Sequence, residues 1–597
     1  GYHESMMPEA IARFGLHLPG TALQTEIAQR RNKMKFEEFV YTRPNYEEVQ
    51  ASLDLLFQQL SHSKNAGEAI RCAVEIDKIR NQYISMKNLS GLLFSIDTTN
   101  PDYVAENDYF DEYWPLYKDL TAQYYHLLLA SPYLEDFRSF YGNQFIRLAE
   151  CNVKTIDQSI LPELQEEQRL VSSNFKLKTD AMVSFRGESM NLSTLSGYLR
   201  SSDRQTRIDA AKAYYGFFES AQQELDTTYD QLVQIRHKKA LKMGYPNFVE
   251  MGYNEMTRTD YDREMVERFR RQVLQHLVPL STKLFERQKR RLGVTELPFY
   301  DEPIKFSTGN AEPFGTPEQI LQQAQGMYRD LSKETDEYFQ YMRENHLIDV
   351  LPRPGKEGSG FCSYIGTYRA PFLFANFNGS SDDVNLMTHE AGHAFQHYMS
   401  RYLDTPELPF PTMETAEIHS MSMELFTLPY MERFFGEQAD KYRFAQVEHA
   451  LEFIPYGCAV DEFQHLVYEN PDATPAERRK MWRDTEIKYL PHRSYEGFPF
   501  LDSGTWWFKQ GHIFFRPFYY IDYSLAQTCA FQFLMQMEQD YPNAWNRYLQ
   551  LCRLGGSRSF VDSLKSVGLR SPFEDGVVEE IAAYTEQYLD RFDDSKM

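Results

Sequence analysis

Residues 382–403 read DDVNLMTHEAGHAFQHYMSRYL and contain, at positions 389–393, the H-E-x-x-H pattern HEAGH. Residues four apart on a helix share one face, so His389 and His393 can both direct an imidazole at a single metal ion. Glu390 then lies alongside, facing a water molecule bound to that ion. The stretch therefore predicts a helix that binds a catalytic zinc ion, which is the minimal layout of a zinc peptidase.

The surroundings of the motif favour a helix. Residues 380–383 (SSDD) form a helix-start signal with an acidic first turn, and Pro406 follows soon after the periodic apolar positions end. Gly392 lies inside the predicted helix, where glycine costs about 1 kcal/mol relative to alanine, so we expect it to permit the close approach of a neighbouring element. The competing interpretation is a surface helix whose two histidines have other partners.

Composition limits the class of protein. The 597-residue chain has 63 basic and 86 acidic residues, and its net charge of −23 opposes binding to nucleic acid or to an anionic membrane. Its 6 cysteines lie far apart without a C-x-x-C pair, and the sequence has no long apolar run. We therefore expect a cytoplasmic protein without disulfides or membrane association, and we expect residues 1–33 to be a leader without function.

Helical periodicity divides the rest of the chain. Residues 34–200 are predicted to form a helical N-terminal lobe with a small hairpin near residues 182–195, and residues 201–597 a catalytic domain. Residues 368–377 alternate well enough for one or two short strands beside the motif helix. The second strand runs into that helix, so its edge could pair with an extended peptide; an ordinary hairpin packed on the helix explains the pattern equally well.

A second helical stretch, METAEIHSMSMELF at residues 413–426, places Glu417 and Glu424 seven residues apart on one face. One carboxylate could complete a His-His-Glu metal site, and the other could accept a hydrogen bond from the non-ligating nitrogen of a ligand histidine. The competing interpretation, two solvated surface charges, is less favoured because the surrounding residues are apolar and buried carboxylates need partners.

Aromatic residues crowd a third stretch, residues 504–537, which contains Trp506, Trp507, His512, Tyr519, Tyr520 and Tyr523. Such clusters usually belong to a hydrophobic core. A peptidase, however, needs hydrogen-bond donors opposite the metal to stabilise a developing oxyanion. His512, Tyr520 and Tyr523 are therefore candidates for that role.

Together these motifs resemble the thimet oligopeptidase and oligoendopeptidase F family of zinc metallopeptidases, in particular its bacterial oligoendopeptidase branch. The resemblance rests on HEAGH at 389–393, on AEI at 416–418 with Glu424, and on HIF at 512–514 followed by PFYYIDY at 517–523. It implies a mainly α-helical, two-lobed body with a deep substrate channel. It also implies cleavage of short unfolded peptides by a monomer or a small homo-oligomer.

The resemblance assigns roles to individual residues. It implies one Zn²⁺ ion bound by His389, His393 and Glu417, with Glu390 as the general base. His512, Tyr520 and Tyr523 would bind substrate or stabilise the transition state. Because the tyrosines are spaced differently from those of the thimet oligopeptidase branch, the separate parts of Tyr519, Tyr520 and Tyr523 stay open.

Helix geometry agrees with Glu417 as the third ligand. His397 continues the four-residue spacing of the two motif histidines, but the outer pair is then about 12 Å apart along a straight helix. Ligand atoms must all lie within about 2.1 Å of one ion, so a ligand from a second helix is needed. Glu417 follows after a loop and one new helical turn, and Glu424, two turns further on, is placed to accept the free N–H of a ligand histidine.

The predicted function is zinc-dependent hydrolysis of internal bonds in short peptides, with Glu390 taking the proton of the attacking water. One alternative is a carboxypeptidase or dipeptidyl-carboxypeptidase, which would need a cation for the terminal carboxylate of the substrate. No arginine in the sequence declares that role. The other alternative is a non-catalytic helical scaffold with structural zinc, which normally has four protein ligands.

Overall fold

The computed structural model describes residues 34–597, and helices account for most of them, which confirms the predicted mainly α-helical class. The leader expected at residues 1–33 lies outside the described residues. Between residues 34 and 597, no helix is both long and apolar enough to cross a membrane.

Asparagine side chains begin several helices of the N-terminal region. Asn45, Asn65 and Asn100 each accept a hydrogen bond from the first turn of the following helix, satisfying N–H groups that lack an intrahelical partner. The hairpin predicted near residues 182–195 is present. The elements are α1 (Tyr46–Ser61), α2 (Ala66–Ile96), α3 (Pro101–Leu129), α4 (Leu134–Tyr141), α5 (Asn143–Val153), α6 (Leu161–Thr179), β1 (Met182–Phe185), β2 (Glu188–Asn191) and α7 (Leu192–Tyr198).

Helices also build the remainder, around a continuous buried core of aliphatic and aromatic side chains. The elements before the motif are α8 (Arg204–Ser220), α9 (Gln222–Lys242), α10 (Phe248–Glu255), α11 (Arg263–Gln272), α12 (Val278–Leu292), α13 (Pro317–Leu331), α14 (Lys333–Glu344), β3 (Ile348–Asp349), β4 (Phe361–Ile365) and β5 (Ala370–Phe374). From the motif onward they are α15 (Ser381–Ser400), α16 (Met413–Phe426), α17 (Glu432–Phe435), α18 (Ala439–Glu469), α19 (Pro475–Tyr489), α20 (Gly511–Phe515), α21 (Tyr520–Leu554), α22 (Phe560–Ser566) and α23 (Val577–Leu589).

A three-stranded sheet lies beside α15; only β5 falls within residues 368–377, where one or two short strands are predicted, and β3 and β4 come earlier in the chain. The strands run β3-β5-β4, with β5 parallel to β3 and antiparallel to β4. The strand that leads into the motif helix is β5, and it is central and buried. The expectation that this strand offers an edge is therefore wrong, because both of its sides are already paired. The open edge next to α15 belongs to β4.

Helices α15 and α16 approach closely at Gly392, as the glycine suggested. A Cβ atom added there would lie 2.6 Å from the main-chain oxygen of His419 and 2.6 Å from the Cα of Ser420. Backbone atoms cannot yield as a flexible side chain can, so only glycine allows this approach. The glycine thereby brings the two helices that carry the predicted ligands together.

Candidate metal centre and active site

His389 and His393 on α15 and Glu417 on α16 present their ligand atoms to one point. These atoms lie within 4.8 Å of one another, and Glu417 Oε2 is 3.4 Å from His389 Nε2 and 3.5 Å from His393 Nε2. Donors that each bind zinc at about 2.0–2.2 Å lie roughly 3–4 Å apart around one ion, so the three residues fit zinc. His397 is outside this group, because its ring stacks on Tyr364 at a centroid distance of 4.7 Å.

Glu424 sets the orientation of His389. The Nδ1–H of His389 donates to Glu424 Oε1 over 2.6 Å, and the amides of Asn385 and Gln446 donate to Oε2 of the same carboxylate over 2.8 and 2.5 Å. With its proton on Nδ1, His389 turns the lone pair of Nε2 towards Glu417. The structure thus contains the bond that the sequence analysis expected of Glu424.

The Glu417 carboxylate is held on both of its oxygen atoms. Tyr519 donates its hydroxyl proton to Oε1, and Ser420 Oγ donates to Oε2 over 3.1 Å. Burial alone would raise the pKa of Glu417, but His393 and His389 hold that pKa well below its usual range. The group is therefore ionised, as a metal ligand must be.

Glu390 lies buried beside the ligand atoms. Its Oε2 has no hydrogen-bond partner within residues 34–597, which is costly for a buried carboxylate unless a bound molecule supplies one. Burial also raises the pKa of Glu390 above its ordinary value. A carboxylate of increased basicity, free on one oxygen, suits a group that accepts a proton near neutral pH.

A chain of hydrogen bonds orients Tyr523. Tyr456 donates to Gln510 Oε1 over 3.0 Å, and Gln510 Nε2 donates to His512 Nδ1 over 2.9 Å. Burial lowers the pKa of His512 to about 4, so the ring is neutral near pH 7 and its proton is assigned to Nε2, which lies 3.4 Å from the Tyr523 hydroxyl oxygen. Tyr523 accepts at this contact, which leaves its own O–H free to donate to another group.

The three tyrosines whose separate roles the sequence does not decide occupy different positions. Tyr519 contacts the ligand Glu417, and Tyr523 contacts His512. Tyr520 packs in an aromatic wall, with its ring centroid 5.6 Å from that of Tyr456 and 5.3 Å from that of His512, whereas Tyr523 meets His512 through its hydroxyl. The structure therefore brings Tyr523, more than Tyr520, into a donor position.

The amide side chains of this site are not predicted from the sequence. Asn385 and Gln446 hold Glu424, and Gln510 fixes the proton of His512. The only available signal was the spacing of Asn385 and Gln510 from the motif residues: one precedes His389 by a helical turn and the other precedes His512 by two positions. Gln446 lies on α18, and nothing in its local sequence indicates the contact.

A helical body with an H-E-x-x-H helix, and a glutamate from the following helix beside both histidines, is the layout of a metallopeptidase. Residues 198–583, well over half of the chain, match the model of peptidase family M3, and residues 36–156 match the peptidase M3 N-terminal domain. The chain therefore belongs to peptidase family M3.

Solved structures and curated relatives agree with this membership. PZ peptidase A, solved with an inhibitor, is 46% identical, with a TM-score of 0.92 over 94% of this chain and 100% of that chain. A structure described as an oligoendopeptidase F from Bacillus anthracis is 43% identical, with a TM-score of 0.88 over 94% of this chain and 99% of that chain. Oligopeptidase PepF of Bacillus subtilis is 22% identical, and the match covers 69% of this chain but only 62% of that protein. The chain thus spans less than two thirds of that relative.

Proposed function

We propose that the chain is a zinc-dependent endopeptidase that hydrolyses internal bonds of short peptides. The observation that carries the proposal is the donor set of His389, His393 and Glu417, with the buried Glu390 beside it. The names of the oligopeptidase relatives support short peptides as the substrate class. A cytoplasmic location and a monomeric or small homo-oligomeric state stay predictions.

Glu390 acts as the general base. His389, His393 and Glu417 would hold a zinc ion, which when bound would supply a position for water and lower the pKa of that water to about 7. Glu390 Oε2, which has no protein partner, accepts a proton from the attacking water and later delivers it to the leaving amine.

Tyr523 stabilises the carbonyl oxygen as negative charge develops on it. Its hydroxyl oxygen accepts from His512, so its own proton is not used in that contact and can be donated to a substrate carbonyl. Burial raises the pKa of Tyr523 well above its usual value, and the hydroxyl therefore stays protonated. A donor held in place before the reaction contributes more to the transition state than to the planar amide.

The edge strand β4 can bind the peptide main chain. The N–H of Leu373 on β5 donates to Leu347, on the β3 side, so its partner across the ladder, Cys362, directs its own N–H and C=O outward. The next outward carbonyl, that of Tyr364, already accepts from Asn88 Nδ2 at 3.0 Å. Cys362 is therefore the position where an extended peptide can add as a further strand.

A structural zinc site is disfavoured. Such sites normally have four protein ligands, whereas the group found among the described residues has three. The carboxypeptidase alternative concerns where the substrate is cut, and it needs a separate test.

Digestion of a mixed peptide library tests the proposal. We expect internal cuts, loss of cleavage on chelation, and recovery when zinc is added back. Removal of one or two residues from every C-terminus would favour the carboxypeptidase class. Absence of any zinc-restored hydrolysis would contradict the peptidase itself, and metal content measured in parallel separates an empty protein from an inactive one.

A further inference from the structure

A cavity of about 540 Å³ lies next to the metal centre, between α3, α5 and α6 on one side and the segments before α16 and α21 on the other. Its volume is within the range of small-ligand sites, about 300–1,000 Å³. Arg516, Lys118 and Gln144 line it. None of these residues belongs to the donor set or to the proposed general base.

Two of the three cations in the cavity wall have no direct partner among the described residues. Its three carboxylates all have cationic partners: Glu167 and Glu255 pair with Lys239 over 2.5 and 2.9 Å, and Glu407 pairs with Arg80. Arg516 and Lys118, by contrast, have no ion pair or side-chain hydrogen bond with any residue between 34 and 597. Two cations without a direct partner therefore line one cavity in a protein whose net charge is −23.

Gln144 is an independent sign of a polar ligand. It is 3% exposed, and its Nε2 has no hydrogen-bond partner within the described chain. Thr259 donates to the other end of the same amide, Oε1, over 3.3 Å, which leaves the amide N–H groups as the free end. A buried donor without a partner costs about 1–3 kcal/mol, so an acceptor in the cavity would relieve that cost.

Arg516, in the cavity wall, is close to the predicted metal ligand Glu417. The guanidinium carbon of Arg516 lies 5.3 Å from the ring centroid of Tyr519, and the Tyr519 hydroxyl donates to Glu417. A single tyrosine ring therefore separates Arg516 from a metal ligand. A group bound by Arg516 would lie within a few extended residues of the scissile bond.

We propose that Arg516, Lys118 and Gln144 form a subsite that binds a carboxylate of the peptide substrate. The proposal deepens the proposed function and rests on it. A guanidinium presents paired donors that match the two oxygens of a carboxylate, while the ammonium and amide groups can satisfy the remaining lone pairs. The carboxylate can come from the C-terminus of the peptide or from an acidic side chain, and the two sources are distinguishable.

Matched peptides test the source. The first pair is one quenched decapeptide with a free C-terminal acid or a C-terminal amide, and the second pair, both amidated, carries Glu or Gln at one position near the cut. We expect the wild-type enzyme to prefer the carboxylate member of one pair by about 10-fold in kcat/KM, as for a hydrogen bond to a charged group. Preference in the first pair identifies the C-terminus, and preference in the second identifies a side chain.

Variants connect that preference to the cavity. In Arg516→Gln the preference should fall to about 3-fold or less, and in the double variant with Lys118→Gln to about 1-fold. Arg268→Gln is the matched control, because Arg268 is exposed on α11 and has no ion pair within residues 34–597. The control should keep the wild-type preference. Equal cleavage of both members of both pairs, or a preference that survives the double substitution, would overturn the subsite.

A binding measurement tests the subsite independently of the proposed peptidase activity. Fluorescence anisotropy of N-terminally labelled acid, amide, Glu and Gln peptides is measured on Glu390→Gln, with and without Arg516→Gln. Carboxylate-selective binding without any cleavage by the wild type would refute the peptidase and retain the subsite. Cleavage without carboxylate selectivity would retain the peptidase and refute the subsite.

Discussion

Arg258 donates a hydrogen bond from Nη2 to the main-chain oxygen of Phe518 over 2.5 Å. The same guanidinium pairs with Asp522 at 2.9 Å, and both side chains are fully buried. Phe518 has a φ of +65°, a region that bulky residues rarely adopt, and its ring fits only because Gly252 has no Cβ: one added there would lie 2.7 Å from the ring. Arg258 therefore holds the strained turn from which Tyr519 and α21 begin.

We expect Arg258→Met to lower kcat by about 10²-fold, since displacing reacting groups by about 1 Å costs that much. Arg207→Met is the matched control, because Arg207 forms a buried ion pair with Asp301 and has no contact with the turn before Tyr519 among its hydrogen bonds and ion pairs. Both variants should lose stability by about 3–5 kcal/mol, as expected when one partner of a buried pair is removed. Kinetics at a temperature where both are folded would decide, and equal kcat values would contradict the positioning role.

Glu390→Gln should abolish turnover while the zinc content and the fold are kept. The amide cannot accept the proton of water, and Glu390 is not one of the three ligands. Activity is measured beside metal analysis of the same preparation. A tenth of the wild-type rate in the variant would show that another group is the base.

Metal retention should separate the two glutamates of α16. Glu417→Ala should lose zinc on dialysis, whereas Glu424→Ala should weaken binding by about 10–100-fold, because Glu424 only orients His389. His397→Ala should bind zinc normally, since its ring lies against Tyr364. Atomic absorption after dialysis provides the measurement. Stoichiometric zinc in Glu417→Ala beside an empty His397→Ala protein would reverse the assignment.

Removing one hydroxyl at a time should distinguish the tyrosines. Tyr523→Phe should lower kcat by about 10²–10³-fold with little change in KM, the loss seen when one preorganised oxyanion donor is deleted. Tyr520→Phe should stay near wild type, because Tyr520 contributes its ring to an aromatic wall. Steady-state kinetics of both variants are the readout. Wild-type kinetics for Tyr523→Phe would return the cluster to a packing role.

Gly392→Ala should destabilise the protein by about 1–3 kcal/mol, because its Cβ would meet main-chain atoms of α16. It should also weaken zinc binding, since the two ligand-bearing helices must separate. Gly91→Ala in α2 is the matched control: its Cβ would have nothing within 4 Å, and we expect it to stabilise the helix by about 0.5–1 kcal/mol. Urea denaturation with and without zinc measures the free energy of unfolding and the effect of zinc on it for both variants. Equal stability of Gly392→Ala and Gly91→Ala would contradict the close approach of α15 and α16.

Features that depend on local periodicity could be predicted from the sequence. The motif helix was expected at residues 382–403 and is found at Ser381–Ser400, and four-residue spacing on one face places His389 and His393 together wherever the helix packs. The relation of Glu417 to Glu424 followed from the same rule. The close packing at Gly392 could also be predicted, because glycine destabilises a helix interior and is expected there mainly where a neighbouring element leaves no room for a side chain.

Features that depend on pairing between distant segments could not be predicted from the sequence. Alternation predicted strands beside α15, but it does not encode strand order, and β4 rather than β5 has the open edge. Arg258 and Phe518 are 260 positions apart, and neither stands in a motif. The role proposed for Arg516 could not be predicted either, since an arginine without an ion pair is recognised only once the partners of the surrounding carboxylates are known.

The contact between Tyr519 and Glu417 spans 102 positions of the chain, and this separation affects the order in which the site is completed. Domains fold as the ribosome delivers them, from the N-terminus onward. A nascent chain in which α15 and α16 have left the ribosome contains both motif histidines and Glu417. It still lacks Tyr519, Tyr523 and the whole of α21. The set of side chains that the proposed mechanism uses is therefore complete only once α21 has been synthesised, about 100 residues after the metal-binding helices.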